Sequence, residues 1–500
     1  MLCSDWYSIN CGTPQGSVLG PILFSIYIND LLDNITNHSK CIPSTYADDI
    51  SLLPTNLHEP LESQLEQLQI ALNCCSDWAN TNHMQYSKDK SNIMCFTNSD
   101  QLNPYIQSQL EQMKLSGYQL EEFNMRVVDR YKYVGIEFCN NIRKLFKFHL
   151  SKLVGKVQFS VNQVNRMIET KSTPIMIGIQ LTLAIVRSVI GYGMIFVKLT
   201  RSYANKLQAL LVRPLKRCLG LPKSTSTLAV LTECGISTLL TWREKLQLQF
   251  ANRLSTLDLN HYSNRIFYSE DYYQFDADNI DQSALNNARY KQTVRFGYEI
   301  KELEGFDENS VKKMKWNISS GDPNNHNNKA NINHQQVSKV QLTQCELQVS
   351  YTELISSGKA KKFLLLKSSL NNNADAAANR ELYIKYDDVE ISKYRARFRF
   401  NSMKLNELLH RYKLRDDAFC DECKDQVESR EHVLLQCPLF EAKRNELQAQ
   451  LNFSSTPLNL NIILADFSTI QKHSKKLQLE ILKYTGDFLQ FISTSRKLTF

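Results

Sequence analysis

Residues 12–30 read GTPQGSVLGPILFSIYIND and residues 45–53 read TYADDISLL, and these two stretches decide the fold. The first is a Pro-Gln-Gly turn followed by an apolar run, which predicts a helix with Leu19, Leu23 and Tyr27 among its apolar residues. The second places two adjacent acids between apolar flanks. This arrangement predicts a hairpin that carries the acids at its tip.

The acid pair consists of Asp48 and Asp49. Neighbouring side chains in a strand point to opposite faces, but in a hairpin turn both carboxylates can approach one site. Carboxylate oxygens are ligands for Mg²⁺, and nucleotidyl transfer uses two such ions about 3.5–4 Å apart. A bare Asp-Asp pair is more often a solvated turn. In the nearby turn, Gly16 allows the backbone to approach a ligand closely, which favours a site.

Charge is concentrated in one part of the chain. With 500 residues, 42% of them hydrophobic, the sequence predicts two to four globular domains. The net charge is +8, yet residues 141–223 alone hold fifteen Lys or Arg and a single acid, Glu169. Such a basic surface favours binding of a polyanion, most often a nucleic acid. The alternative is a set of solvated helix faces.

Cysteine usage and the apolar runs indicate the compartment. Thirteen cysteines are scattered along the chain, and the start lacks the basic segment of a secretory signal. This favours free thiols in a reducing intracellular compartment, nuclear or cytoplasmic. The apolar run 174–197 carries Arg187 near its centre, which would cost about 2.5–3.5 kcal/mol in a bilayer. The run therefore predicts buried core helices, with no membrane as a partner.

The segment CDECKDQVESREHVLLQC has the spacing of a metal site. Its C-x2-C-x8-H-x4-C pattern comes from Cys420, Cys423, His432 and Cys437. Four soft or borderline ligands without an open position describe structural Zn²⁺. Reduced buried thiols are the alternative. Acids surround the ligands, so any nucleic-acid contact of this module is predicted at its arginines: Arg395, Arg397, Arg399 and Arg411.

The quoted stretches also carry a family resemblance. GTPQGSVLGPILFSIYIND with YADD resembles the palm of reverse transcriptases from non-LTR, LINE-like retrotransposons. Further segments are similar to the same family in its order: WANTNHMQYSKDKSNIMCF, the primer-grip-like YKYVGIEF, and the thumb-like AIVRSVIGYGMIF and LVRPLKRCLGLPKSTS. The resemblance covers about residues 9–256. The block around the Cys and His residues is similar to the C-terminal Cys-Cys-His-Cys segment of these polymerases.

The resemblance implies an RNA-directed DNA polymerase that uses Mg²⁺ or Mn²⁺, with RNA template, DNA primer and dNTPs as partners. It assigns Asp48 and Asp49 to the catalytic metals. In the resemblance, Gln15 and Gly16 would contact the template or the base pair of the incoming nucleotide, and Lys90 would meet the triphosphate. Tyr46 and Ala47 would position the hairpin near the primer end. A surface Lys before a strand is the alternative for Lys90.

The predicted fold class is α+β, with a partial reverse-transcriptase palm, a helical thumb and a small C-terminal zinc-binding module. The predicted boundaries are 1–139 for the palm, 140–260 for the basic helical thumb and following region, 261–385 for a linker, and 386–500 for the zinc-knuckle-like module with helices. The linker contains the Asn-rich segment 317–337. Such a composition cannot bury enough apolar surface to order the chain.

One expected element is missing from the motif order. The family palm needs a third carboxylate upstream of the Pro-Gln-Gly turn, and Asp5 is the one acid before Gly12. We therefore expect an N-terminally truncated polymerase that is inactive alone. A non-catalytic remnant that binds RNA, and a zinc-dependent adaptor on a polymerase scaffold, are the alternatives. The oligomeric state stays open.

Overall fold

A computed structural model describes Gly12 and residues 16–56, 59–98, 108, 119–120, 123–169, 172–256, 347, 350–357, 363, 381–451 and 457–498. The chain divides into two compact units, Met1–His149 and Leu150–Phe500. The predicted mixture of helix and strand is confirmed, and the strands of the described residues all lie in the first unit.

The first unit begins with two short helices, α1 Gly20–Tyr27 and α2 Asn29–His38. Strands β1 Cys41–Tyr46 and β2 Asp49–Pro54 then pair antiparallel. Pro60 caps the long helix α3, Leu61–Thr81, because its fixed φ suits a helix start.

The core of the first unit lies between α2, α3 and the hairpin. Apolar residues from Leu61 to Trp78 follow at spacings of three and four, which predicts a helix with one apolar face. The structure confirms it: Leu65, Leu72, Cys75 and Trp78 are buried, and Leu61 and Leu68 are partly buried against them. They pack with Leu31 and Ile35 of α2. The Trp78 indole Nε1 donates to Asp30 Oδ1 at 2.8 Å, so the indole nitrogen keeps a partner inside the core.

The remaining strands of the first unit are short. Residues 134 and 135 connect the last two strands with φ angles of 43° and 79°, so YKYVGIEF forms a tight hairpin where its alternation and Gly135 predict a strand near a turn. Gly135 adopts its positive φ without strain. One pair is parallel: β3 Asn92–Ile93 with β6 Arg126–Val127. Two pairs are antiparallel: β4 Gln119–Leu120 with β5 Phe123–Asn124, and β7 Arg130–Tyr133 with β8 Ile136–Cys139.

The predicted basic helical segment is confirmed as helical. Its described elements are α4 Lys147–Met167, α5 Ile175–Leu181, a π turn Thr182–Arg187, α6 Ser188–Gly191, α7 Arg201–Cys218, α8 Thr227–Glu233 and α9 Leu239–Thr256. The Gly, Pro and Ser residues of GLPKSTS predict a break between helices, and this segment separates α7 from α8, with Gly220 at a φ of 64°. Ile175, Ile179, Val186 and Ile190 are at most 2% exposed, as expected for core helices. Among the described helices, none is long and apolar enough to cross a membrane.

The C-terminal part is helical and completes the second unit. Its elements are α10 Tyr383–Tyr386, α11 Val389–Arg399, α12 Asn406–Arg411, α13 Glu441–Leu451, α14 Leu460–Ile463, α15 Phe467–Ile470 and α16 Lys475–Ser495. A π turn, His432–Gln436, and a 3₁₀ turn, Pro438–Phe440, precede α13.

Part of the predicted linker contributes to this core. Residues 350–356 are helical, and Leu354 is fully buried beside Ala229 and Phe363. The Thr238 backbone N–H donates to Ser350 Oγ at 3.0 Å. The Asn-rich segment 317–337 lies outside the described residues.

Candidate functional site

The acid pair lies at the tip of a tight hairpin, as predicted. Tyr46 and Asp49 are the last paired residues of β1 and β2, so Ala47 and Asp48 form a two-residue turn. Ala47 has a φ of 54°, a conformation that a hairpin turn of this length requires at its first central residue. Tyr46, Ala47, Asp48 and Asp49 are all exposed. Both carboxylates are therefore open to a ligand at one end of the hairpin.

Two other motifs reach the same place in the first unit. The Tyr131 hydroxyl of β7 donates to the backbone carbonyl of Lys90 at 2.8 Å. Burial is the main cause of the raised pKa of Tyr131, and the negative charge of Asp49 adds to it. Tyr131 therefore lies within electrostatic range of Asp49. The Lys90 side chain is exposed. The hairpin, the Lys90 turn and the primer-grip-like strand thus meet around Tyr131.

The turn before α1 is described in part. Gly16 has a φ of 86°, in the left-handed region that favours glycine, and a Cβ built there would meet nothing within 4 Å. Gln15 lies outside the described residues. The predicted helix is confirmed as α1, and its apolar side chains Leu23 and Tyr27 are 51% and 44% exposed.

The Cys and His residues form one cluster. The ligand atoms of Cys420, Cys423, His432 and Cys437 all lie within 4.8 Å of one another. The Sγ atom of Cys437 is 4.0 Å from that of Cys420 and 3.8 Å from that of Cys423, and Cys423 Sγ is 3.5 Å from His432 Nε2. Tetrahedral zinc, with its usual bond lengths, separates its ligand atoms by about 3.8 Å for two sulfurs and about 3.5 Å for sulfur and nitrogen. The cluster fits such an ion.

Local backbone structure explains how the cluster forms. Phe419 and Val427 pair in an antiparallel bridge, and Lys424, at a φ of 61°, closes the turn between them. This turn brings the first two cysteines to one side. His432 and Cys437 are joined by a π-type hydrogen bond, from the Cys437 N–H to the His432 carbonyl at 2.7 Å. A five-residue π turn places residues five apart on one face, so both ligands reach the same point.

Neighbouring groups orient the ligands. The His432 ring Nδ1 lies 2.8 Å from Gln426 Oε1, a contact that directs Nε2 toward the cysteines. Burial lowers the pKa of His432, against the opposing effect of Glu428, and so favours the neutral imidazole that binds a metal. Arg444 Nη2 donates to the Cys437 carbonyl at 2.6 Å. Three buried ligands and the half-buried Cys423 make a closed set of four that can stabilise the fold but offers no open position for substrate.

The basic segment presents its charges to solvent along α4. Lys152, Lys156 and Arg166 are exposed, and Phe159 and Met167 between and beside them are 64% and 55% exposed. Lys152, Lys156, Phe159 and Arg166 follow at steps of four, three and seven residues and therefore form one stripe of the helix, with Met167 beside it. On the neighbouring helix α7, Arg213 is exposed and its Nη1 donates to Gln158 Oε1 of α4 at 2.8 Å.

Three of the four arginines predicted as nucleic-acid contacts are not accessible. Arg395 and Arg399 are 0% exposed and Arg397 is 8% exposed, so the prediction for these three is wrong. The reason is that each has a partner inside the second unit: Asp387 for Arg395, the Gly220 carbonyl for Arg397 and Glu233 for Arg399. The Arg411 side chain is 52% exposed, and its role stays a prediction.

Some residues at these sites were not predicted. Tyr131 lies inside the quoted YKYVGIEF motif, but its contact with Lys90, 41 residues away, leaves no trace in the sequence. Gln426 lies between the paired cysteines and the histidine, where an amide that orients the ring is a reasonable expectation. Glu233 and Arg399 are 166 residues apart, and no local pattern joins them.

A known protein family matches the first unit. The family described as reverse transcriptase (RNA-dependent DNA polymerase) matches residues 4–138, which contain the hairpin, the Lys90 turn and the β7–β8 pair. The first unit therefore carries a reverse transcriptase domain, whose family fold is palm-like.

Three similar proteins indicate the type of reverse transcriptase. The RNA-directed DNA polymerase from mobile element jockey of Drosophila melanogaster is 24% identical over 221 residues, 43% of this chain and 22% of that protein. The probable RNA-directed DNA polymerases from transposon X-element and transposon BS of the same species are 30% identical over 95 residues and 28% identical over 171 residues. These matches cover 19% of this chain and 10% of the X-element protein, and 33% of this chain and 17% of the BS protein. The predicted resemblance is confirmed: the reverse transcriptase domain is of the non-LTR, LINE-like type, and the chain spans about a fifth or less of these relatives' length.

Proposed function

We propose that this chain acts in RNA-directed DNA synthesis, with residues 1–139 as part of the palm, 140–260 as the thumb and following region, and 386–500 as a zinc-binding module. The observation that carries the proposal is the meeting of three family motifs around Tyr131. Its hydroxyl donates to the Lys90 carbonyl at 2.8 Å, and burial raises its pKa, with the negative charge of Asp49 adding to the rise. A nuclear or cytoplasmic location, and RNA template, DNA primer and dNTPs as partners, belong to the same proposal.

Each site residue has a distinct role in this proposal. Asp48 and Asp49 supply the carboxylate oxygens that hold Mg²⁺ or Mn²⁺ at the exposed hairpin tip. A bound ion there would supply charge stabilisation of the phosphoryl oxygens. Tyr46 and Ala47 set the hairpin against the primer end, and Gln15 and Gly16 contact the base pair. The exposed Lys90 ammonium meets the triphosphate and gives a proton to the departing pyrophosphate.

The zinc-binding module would hold structural Zn²⁺ through Cys420, Cys423, His432 and Cys437. The donor set and the separation of its atoms support zinc rather than Mg²⁺, which takes oxygen ligands. The basic stripe of α4 would hold the RNA–DNA duplex by its phosphates, which gives affinity without sequence preference.

Primer extension on an RNA template with Mg²⁺ or Mn²⁺ tests the polymerase proposal when the carboxylate strand that the family palm needs is supplied upstream of Gly12. Replacing Asp48 by Ala removes a metal-holding carboxylate, and since such charge stabilisation contributes several kcal/mol, extension should fall at least about a hundredfold. Asp33→Ala is the control, because Asp33 is an exposed acid of α2 in the same unit. Extension that survives Asp48→Ala would contradict the proposed role of the hairpin.

Nucleic-acid binding without chemistry is the second candidate. The observation that favours it is the exposed basic stripe of α4, which needs no hairpin acids to bind phosphates. A chain that binds RNA but yields no cDNA with either metal, even with that upstream strand supplied, supports this candidate. Loss of extension in Asp48→Ala with unchanged RNA affinity supports polymerase function instead.

A further inference from the structure

The centre of the second unit is a buried set of charges. The Arg399 side chain is 0% exposed, and its guanidinium lies 2.6 Å from Glu233, 3.2 Å from Glu381 and 3.9 Å from Asp466. The Tyr383 hydroxyl donates to Glu233 Oε1 at 2.7 Å. Glu233 is the last residue of α8, whereas the other groups belong to the C-terminal part. The basic helical segment and the C-terminal part therefore share one charged core.

The metal cluster is tied directly to this core. Arg430, two residues before His432, is 1% exposed, and its Nη1 donates to the carbonyls of Phe398 at 3.2 Å and Arg399 at 3.3 Å. Both carbonyls belong to the last turn of α11, and that of Phe398 also accepts from the Asn401 backbone N–H at 3.1 Å. The backbone of Arg399 is thus held by the segment that carries the ligands, while its side chain holds α8.

A second connection runs to the loop between α7 and α8. Arg397 Nε donates to the Gly220 carbonyl at 2.6 Å. Gly220 lies in the break between these helices, and α7 carries the exposed Arg213 that contacts α4. Arg397 and Arg399 of α11 therefore hold the segment that carries the basic helices, whereas Arg395 binds Asp387 within the C-terminal part.

The outer surface of the metal module has the wrong charge for a nucleic acid. Acids near the ligands are exposed, namely Asp416, Asp417, Asp421, Glu422 and Asp425. The exposed cations there are fewer, namely Lys413, Lys424 and Arg411, which pairs with Glu407 at 2.8 Å. Arg415 lies 2.5 Å from Asp421, and Arg430 is buried. Phosphates approaching this surface would meet like charge.

We propose that the metal module braces the basic helices and does not contact nucleic acid, with Arg430 and Arg399 as the positioning residues that connect the ligands to α8. This inference rests on the proposed zinc site. Metal binding orders the segment 420–437, Arg430 holds the end of α11, and Arg399 fixes the end of α8. Metal occupancy therefore controls the RNA affinity of the basic stripe on α4, although the metal module forms no part of that stripe.

Hydrogen exchange of the full chain, with zinc and after chelation, tests the bracing role. Removing zinc should lower amide protection at least about tenfold in α8 and α11 as well as around the ligands, because these segments open together. Protection in α3, in the first unit, should stay the same. A chain that takes up no zinc contradicts the metal site itself. A chain that takes up zinc but keeps the protection of α8 after chelation contradicts the bracing inference alone.

Variants of Arg430 separate positioning from metal binding. Arg430→Gln should keep the absorption spectrum of the Co²⁺-loaded chain but lose protection in α8. Arg430→Lys should restore part of it, since an ammonium can also donate to both carbonyls. Loss of the Co²⁺ spectrum in Arg430→Gln, or unchanged α8 protection in that variant, would overturn its role.

RNA affinity distinguishes a brace from a contact. Zinc removal should weaken RNA binding about fivefold or more, a size typical of coupled sites. Asp416→Asn combined with Glu422→Gln should bind RNA as the unchanged chain does. If removing these two negative charges strengthens RNA binding, the acidic surface lies beside the RNA and the inference fails.

Discussion

The two candidate metal sites are built in opposite ways. Asp48 and Asp49 extend from an exposed hairpin tip, whereas Cys420, His432 and Cys437 are buried with their ligand atoms already at the separations of a tetrahedral site. An ion at the hairpin must take part of its shell from substrate phosphates and water, so open carboxylates suit it. A closed set of four ligands leaves nothing for substrate. The difference separates a site for chemistry from a site for structure.

Removing the zinc-type ligands should have the largest effect, because apparent binding energies of structural zinc reach about 10–16 kcal/mol and include folding of the site. Cys420→Ser with Cys437→Ser should remove one equivalent of zinc and the ordered structure of the module. Zinc content by elemental analysis and exchange of residues 418–440 measure both. Cys95→Ser, in the first unit, is the control. Unchanged zinc content in the double variant would contradict the site.

Arg399 and Arg411 offer a matched comparison of buried and exposed ion pairs. Arg399→Met should lower the free energy of unfolding of the second unit by about 3–5 kcal/mol, because three buried acids lose their cation. Arg411→Met removes only a helix-surface pair with Glu407, 2.8 Å away, and should cost about 0.5 kcal/mol or less. Denaturant unfolding compares the two variants. Equal losses would mean that the buried network does not hold the unit together.

Desolvation opposes the charge of Arg399, but the acids around it, Glu233 foremost, raise its pKa above the ordinary arginine value. The guanidinium therefore stays charged throughout the range in which proteins are studied. Replacement, rather than titration, is the way to test it.

The stripe on α4 should show in the salt dependence of RNA binding. Lys152→Gln, Lys156→Gln and Arg166→Gln together should lower the slope of log affinity against log salt by about two to three, at roughly 0.7–0.9 per lost phosphate contact. Titrations over a range of salt concentrations measure the slope. The control replaces Lys475, Lys476 and Lys483 of α16 by Gln, since these are also exposed lysines of the second unit. An unchanged slope in the α4 variant would reject this surface.

Features that depend on residues close together in the sequence were predicted, and contacts between residues far apart in the sequence were not. The hairpin, the apolar face of α3 and the Cys-His cluster each depend on residues within about twenty positions, so spacing alone indicated them. Arg395, Arg397 and Arg399 were predicted as surface contacts because the module carries so many exposed acids. Their burial depends on partners such as Gly220 and Glu233, up to 177 residues away, which no local pattern reveals.

The helical residues 350–356 were missed for the same reason. Their polar neighbours favoured a linker, but Leu354 fills a space beside Ala229 that exists only after the chain has folded. Tyr131 belongs to the YKYVGIEF motif, yet its hydrogen bond to Lys90 and its electrostatic interaction with Asp49 form only when the first unit folds.

The smallest expected effect tests that link between motifs. Burial is the main cause of the raised pKa of Tyr131, and the negative charge of Asp49 adds to it, because a nearby carboxylate disfavours the phenolate. Asp49→Asn should therefore lower the pKa of Tyr131, but only part of the way to the ordinary value of 10.0. Site-specifically labelled Tyr131, followed by NMR against pH, measures the shift, and Asp33→Asn controls for a general change of charge. Since the folded state raises this pKa, the phenol contributes stability below pH 10 that is lost as the pH rises through the folded value. If Asp49→Asn leaves the titration of Tyr131 unchanged, the hairpin and the primer-grip-like strand do not share one site.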